Sequence, residues 1–251
     1  LGEQKLDNPY ETFKDFYTKD YQRFVEYNIQ DVELVDRLED KMKLIELCLT
    51  MAYDYKVNYT DVYSQVRCWD TLIYNHLKKK HIVVPPREDQ EKATQYEGAY
   101  VKDPDLGLHK WIVSFDLNSL YPHLIMQYNI SPETYYDVKT NGVNVDNMLS
   151  QQVNLKFAKD KNITIAPNGA MFRRDKQGFL PELMEKMYGD RVIYKKKMME
   201  AKKEFQKTKD PIYKNEIARC HNIQMAKKIA LNSAYGAIGN QYFRYFDVKQ
   251  A

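Results

Sequence analysis

The run Trp111-Ile-Val-Ser-Phe-Asp116-Leu-Asn-Ser119-Leu-Tyr121-Pro122 constrains this chain more than any other stretch. Trp111, Ile112, Val113 and Phe115 form a short apolar run that predicts a buried strand. The strand ends on a carboxylate, Asp116. Ser119 then stands where a helix N-cap would, and Leu124, Ile125 and Met126 continue an apolar helix. Hard metal ions take carboxylate and carbonyl oxygens. Phosphates favour free backbone N–H groups at the positive end of a helix. A metal–triphosphate complex suits both halves of this corner. A lone Asp in such a turn more commonly serves as a cap, so the corner by itself leaves both readings open.

The rest of the chain narrows the setting. A hydrophobic content of 43% over 251 residues supports a sizeable core, enough for one large or two ordinary domains. Charged residues make up 29%, and no run of 18 apolar residues occurs, so no membrane-spanning helix is expected. The first residues, Leu1-Gly-Glu-Gln-Lys, are polar and lack an initiator Met, which suggests a piece of a longer protein. Cys48, Cys68 and Cys220 lie far apart without metal-binding spacing and are expected as free thiols of a reducing compartment. The net charge of +3 hides an asymmetry. Residues 1–50 carry 12 acidic and 7 basic side chains, whereas residues 186–209 carry 9 basic against 3 acidic. The later stretch is the one suited to a phosphate-rich partner.

Residues 1–19 read as polar and irregular. Phe24, Tyr27, Asp31, Leu34 and Leu38 recur at helical steps, as do Leu44, Leu47 and Met51, and predict helix from Asp20 to about Tyr55. A further helix is expected from Thr60 to Lys80. Pro85-Pro86 and the polar run after it mark a candidate domain boundary. Gly98-Ala-Tyr-Val and Trp111–Phe115 read as two strands joined by a turn-rich connection. Residues 137–170 are rich in Asn and Gly and resist assignment. Pro181 is expected to start a long helix reaching about Lys209, Asp210-Pro211 to turn the chain, and a second helix to run to about Tyr235, ended by Gly236 and Gly239. Two long helices on so short a turn make an antiparallel hairpin.

On the second of these helices Lys228, Asn232 and Tyr235 share one face at i, i+4 and i+7. On the first, Arg191 and Lys195 are one turn apart. Three cations brought to one side of a hairpin repel one another unless an anion sits between them, and a triphosphate meets that need. Solvated lysines and an Arg191–Glu pair are the plainer alternative, and Lys196 and Lys197 are read as solvated. Phosphoryl or nucleotidyl transfer needs metal carboxylates, phosphate cations and positioning. The cations fit, but only Asp116 has a strand-end setting, so a second carboxylate is expected outside this chain.

These residues resemble a known family. Asp116-Leu-Asn-Ser-Leu-Tyr-Pro resembles the first palm motif of family B DNA polymerases, DxxSLYP. Lys228-Ile-Ala-Leu-Asn232-Ser-Ala-Tyr235-Gly236 resembles their fingers motif, KxxxNSxYG. Tyr96-Glu-Gly98-Ala99 is similar to the YxG(G/A) element between exonuclease and polymerase domains, and Tyr27-Asn-Ile-Gln-Asp31 to the third exonuclease motif, YxxxD. Asn129-Ile-Ser-Pro-Glu-Thr and Asn240-Gln-Tyr-Phe-Arg-Tyr-Phe-Asp are most similar to replicative polymerases of large tailed phages.

The resemblance implies an α+β internal fragment. Residues 1–85 would be the mainly helical C-terminal part of a 3′→5′ exonuclease domain. Residues 86–180 would be a linker and the first part of a palm with an antiparallel sheet, 181–236 the fingers hairpin, and 237–251 the return to the palm. Asp116 and the Leu117 carbonyl would bind catalytic Mg²⁺ in a two-metal site. Backbone N–H groups around Ser119 and Leu120 would hold the triphosphate. Tyr121 would lie under the deoxyribose as a steric gate. Arg191, Lys195 and Lys228 would grip the β- and γ-phosphates, with Lys228 counted among the catalytic groups. Asn232 and Tyr235 would stand over the nascent base pair, and Gly236 would admit the template. Asp31 would hold an exonuclease metal, Tyr27 would orient the attacking water, and Tyr96 and Gly98 would touch template DNA. Primer–template DNA and a dNTP are the implied substrates. A sliding clamp and other replisome proteins are implied through absent regions, in a cytoplasmic setting (the host's, if the protein is phage-encoded).

The chain departs from the pattern in four ways. His123 follows the SLYP element where the family commonly has Ser. No DTD-type motif supplies the second palm carboxylate, and the DxE exonuclease pair and a thumb are absent. The piece alone is therefore expected to be inactive. A non-catalytic DNA-binding or replication-scaffold module is the alternative. A ribonucleotide-adding enzyme is disfavoured by Tyr121.

Overall fold

Thr12 and Asp20 each cap a helix near the start of the chain. In the computed structural model, which describes residues 2–87, 101–138 and 142–247, the Thr12 hydroxyl accepts from the Asp15 N–H in α1 (Phe13–Lys19). The Asp20 carboxylate accepts from the Arg23 N–H in α2 (Tyr21–Met42). The expected irregular stretch 1–19 thus contains a helix. One cap and a ring cluster hold it: Phe16 is fully buried, stacked on Tyr10 and meeting Phe24 and Tyr27 edge-on. Lys43 takes the left-handed conformation after α2, and the Glu39 carboxylate accepts from the Leu44 and Ile45 N–H groups that open α3 (Leu44–Tyr55). The single helix foreseen from Asp20 is therefore two.

The chain divides into two compact units, residues 1–49 and 50–251. The division does not fall at Pro85-Pro86. After a 3-10 turn (Tyr59–Tyr63), Ser64 caps α4 (Gln65–Lys79), and α4 packs in the same unit as the long hairpin. Its Trp69 is buried, and Trp69 Nε1 donates to Ala230 O at 3.2 Å.

The buried strand expected at Trp111–Phe115 is not formed. Residues 101–117 have no regular structure, and Trp111 is 98% exposed, with Ile112, Val113 and Phe115 exposed as well. A strand exists through its ladder. No described residues pair with this one, and Gly98-Ala-Tyr, its expected partner, lies outside the described residues.

From Leu120 the chain is ordered by packing. α5 (Leu120–Tyr128) ends at Asn129, left-handed and buried. The Asn129 amide donates to Arg173 O and Lys176 O and accepts from Gly178 N. Residues 137–170, unassigned from sequence, complete a small sheet with two short helices. β1 (Tyr135–Val138), β2 (Ile163–Ile165) and β3 (Ala170–Arg173) are antiparallel in the order β1-β3-β2, with α6 (Val145–Leu149) and α7 (Lys156–Asp160) between β1 and β2. Val143, Ala158, Ile163, Ile165 and Met171 form its core. The secondary structure is α+β.

The loop after Asn129 also seats the hairpin. Glu133 accepts from Phe179 N at 2.6 Å and Ser131 Oγ from Leu180 N at 3.4 Å, so the orphan N–H groups of α8 (Phe179–Thr208) are met from outside the helix. Gly178 fits here because a Cβ would lie 2.5 Å from Ser131 Cβ. Lys209 is left-handed, Asp210 caps, and Pro211 opens α9 (Pro211–Ile238). α9 continues through Gly236 and ends only at Gly239. One glycine costs a helix about 1 kcal/mol, which burial of Ala234, Ala237 and Ile238 offsets.

Candidate active site

The first turn of α5 meets α8 through one hydrogen bond. Ser119 is left-handed (φ 55°) and its side chain does not cap α5. Its hydroxyl accepts instead from Arg191 Nη1 at 2.9 Å. A helix's first N–H groups have no acceptor within the helix. With Ser119 turned to Arg191, those at Leu120 and Tyr121 receive no cap from it. Arg191 Nε is buried without an acceptor among the described residues. A buried unmet donor on a cation is costly, and an anionic oxygen beside the α5 N-terminus would satisfy it.

α5 meets α9 through two rings. Tyr121 and Tyr235 stack with centroids 5.1 Å apart and planes 10° from parallel. The two sequence motifs, more than 100 residues apart, therefore touch. Lys228 and Asn232 are exposed along the same face of α9 as Tyr235, and Gly236 is exposed beyond them. A Cβ at Gly236 would meet nothing within 4 Å, so the packing of this chain does not demand the glycine. Lys195 is exposed one turn after Arg191. Lys197 lies over the Tyr194 ring at 5.5 Å, a surface contact that agrees with its reading as solvated. His123 fits where it stands: its Nδ1 lies 2.9 Å from Ser119 O and its ring meets Tyr188 edge-on at 4.8 Å.

Other expected groups are not brought to this place. Asp116 and Leu117 are exposed in irregular chain, not at a strand end. Among the described residues no group of three or more His, Cys, Asp or Glu side chains could hold a metal ion. One carboxylate and one carbonyl would leave most of a Mg²⁺ ion's octahedral shell to water, phosphate oxygens or further carboxylates. Tyr96 and Gly98 lie outside the described residues. Tyr27 and Asp31 are in the first unit, one turn apart on α2. Tyr27 packs on Phe13 and Phe16; Asp31 Oδ2 is 3.1 Å from Lys5 Nζ, and Asp31 Oδ1 is buried without a donor among the described residues. The three cysteines are free. Burial pushes the Cys68 thiol up to about 11 and raises that of Cys220, so neither is a ready nucleophile.

Sequence reasoning missed the Tyr121–Tyr235 stack and the half-buried Lys227. Lys227 Nζ is 2.9 Å from Asp54 and 3.8 Å from Asp190. A lysine next to Lys228 carries no local sign of burial, and its partner is 173 residues away.

The chain is similar to known proteins in sequence and in fold. The family model for DNA polymerase family B matches residues 57–250. The chain is 28% identical to the DNA-directed DNA polymerase of Escherichia phage RB69 and 29% identical to that of Enterobacteria phage T4. Each match takes in 100% of this chain and 32% of the relative, so the chain spans about a third of their length. DNA polymerase 1 of Pyrococcus abyssi is 27% identical over 91% of the chain. The fold is similar to that of the family B DNA polymerase from the archaeon Pyrobaculum calidifontis, with a TM-score of 0.67 and 22% identity, covering 97% of this chain and 29% of that one.

Proposed function

This chain belongs to the family B DNA polymerases, and from that membership we propose that it is a segment of a replicative enzyme that adds dNTPs to a primer 3′-OH. The observation that carries the reading is the meeting of the two motifs: Arg191 on Ser119, and Tyr121 on Tyr235. A dNTP lies between the α5 N-terminus and the exposed stripe of α9. The α5 N–H groups, Arg191, Lys195 and Lys228 take the phosphates, and the unmet Arg191 Nε supports that assignment. Tyr121 bounds the sugar, where a 2′-OH would crowd its ring. Asn232 and Tyr235 face the new base pair, and the open surface at Gly236 takes the template.

The Asp116 carboxylate and the Leu117 carbonyl would be two of the oxygens that hold Mg²⁺, with other parts of the enzyme completing the site; the metal would supply Lewis-acid polarisation of the phosphoryl oxygens. Residues 1–85 belong to the exonuclease side in function, with Asp31 as a metal ligand, Tyr27 orienting the water and proofreading carried out by the intact protein. The buried Asp31 Oδ1 is in keeping with this. Tyr96 and Gly98 touch template. Primer–template DNA is the macromolecular partner, and a clamp and replisome proteins bind elsewhere on the enzyme. Among the described residues no helix is long and apolar enough to cross a membrane.

The purified 251-residue chain should give no templated primer extension with Mg²⁺ and dNTPs, while an intact polymerase carrying it extends. Extension by the chain alone, free of contaminating polymerase, would overturn the assignment of missing parts. A non-catalytic scaffold is the other outcome: the intact protein would then bind primer–template without extending it. Gly236→Ala separates fold from function. Because the glycine meets no packing demand, the substitution should stabilise α9 by about 0.5–1 kcal/mol, read by thermal unfolding, yet slow extension. Unimpaired extension would remove the template role.

A further inference from the structure

The side of α9 that faces away from the nucleotide stripe is held by polar contacts from α3, α4 and α8. Tyr55 of α3 donates its hydroxyl to Ala226 O at 2.5 Å. Trp69 of α4 donates to Ala230 O and, at 3.3 Å, to Ser233 Oγ. Lys227 Nζ lies 2.9 Å from Asp54 and 3.8 Å from Asp190, its side chain only 12% exposed. At about 100° per residue, Ala226, Ala230 and Ser233 cluster roughly opposite Lys228, Asn232 and Tyr235, and Lys227 lies on the flank between them.

Two adjacencies give this network a role. Lys227 immediately precedes Lys228, and Asp190 immediately precedes Arg191. The contact between Lys227 and Asp190 therefore ties together the backbones that carry two phosphate cations, one on each helix of the hairpin. Asp54 adds a third anchor, from outside the hairpin. The largely enclosed Lys227 ammonium lies between carboxylates on two different helices, and rotating α9 against α8 would carry it away from at least one of them. The phenol of Tyr55 on Ala226 O, beside Lys227, and the indole of Trp69 on Ala230 O, one turn further along, fix the same rotation.

We propose that Asp54, Lys227 and Asp190 are positioning residues that set the rotation of α9 against α8, so that Arg191 and Lys228 present to one nucleotide. The inference rests on the proposed nucleotide site. It assigns to α3, far from the two motifs in sequence, a part in the use of dNTP.

The test uses the intact polymerase that carries this segment, in single-turnover incorporation across a range of dNTP concentrations. Lys227→Met should raise the half-saturating dNTP concentration about ten-fold. Lys227→Arg should restore most of it, and primer–template affinity should be unchanged. Asp54→Asn should move in the same direction. A lower melting temperature with fewer active molecules but an unchanged half-saturating concentration would show a merely structural role and overturn the proposal. If Lys227→Met does not fold, Asp190→Asn carries the test, and no change in dNTP dependence overturns it. Lys228→Ala, measured alongside, separates the two layers. If Lys228→Ala weakens dNTP use and Lys227→Met does not, only the positioning proposal falls. If Lys228→Ala is itself without effect, the nucleotide site falls.

Discussion

Lys228→Ala in the intact polymerase should raise the half-saturating dNTP concentration roughly 10- to 150-fold, whereas Lys197→Ala should change it less than about two-fold. The first number follows from losing one charge-assisted hydrogen bond to a phosphate, about 1.5–3 kcal/mol. The second follows from place. Lys228 is on the exposed stripe that leads to Tyr235 and its stack on Tyr121. Lys197 is two residues past Lys195 and lies over the Tyr194 ring. Both substitutions remove one positive charge from the same hairpin, so a general electrostatic effect would make them equal. Pre-steady-state incorporation over a dNTP series distinguishes the two cases, and equal effects would count against the face assigned to α9.

Trp69→Ala should produce the largest loss of stability in the second unit. The ring is 1% exposed, and its Nε1 bonds Ala230 O and Ser233 Oγ. Truncating a buried Trp costs about 3–5 kcal/mol through lost transfer energy and the cavity left behind. Trp69→Phe keeps much of the volume and loses the N–H, at about 1 kcal/mol. Hydrogen exchange read on α9 peptides checks both. Protection should fall steeply for Ala and slightly for Phe. Similar protection in all three proteins would show that α4 does not hold α9.

Helical features were legible because their signals are local. Asp210-Pro211 marked the hairpin turn, and the cap and the proline act there as expected. The stripe Lys228, Asn232, Tyr235 followed from period alone, and in the structure Lys228 and Asn232 are exposed while Tyr235 is half-buried against Tyr121. What failed was non-local. The apolar run at Trp111 has strand character but needs a ladder, and a ladder is supplied by residues distant in sequence. The small sheet escaped notice because β2 and β3 are three and four residues long, inside an Asn- and Gly-rich stretch. The break between units lies within α3, at 49/50. The acidic excess of residues 1–50 ends there, but no turn or proline marks it, whereas Pro85-Pro86 is conspicuous and yet divides no compact unit. The roles of Tyr121 and Asp31 came from family resemblance alone, since a tyrosine in an apolar helix and an acid on an amphipathic one look ordinary.

The central claim is that the α5 N-terminus and the facing helices α8 and α9 hold one nucleotide triphosphate. The most direct measurement is photocrosslinking of the intact polymerase, on primer–template, with a dNTP analogue carrying a photoreactive group on its γ-phosphate, followed by mass spectrometry of the adducts. The account predicts adducts on peptides containing Arg191, Lys195 and Lys228, competed away by unmodified dNTP. Competed adducts confined to the far lysines of α8, residues 202–209, or to residues 1–49 would contradict it.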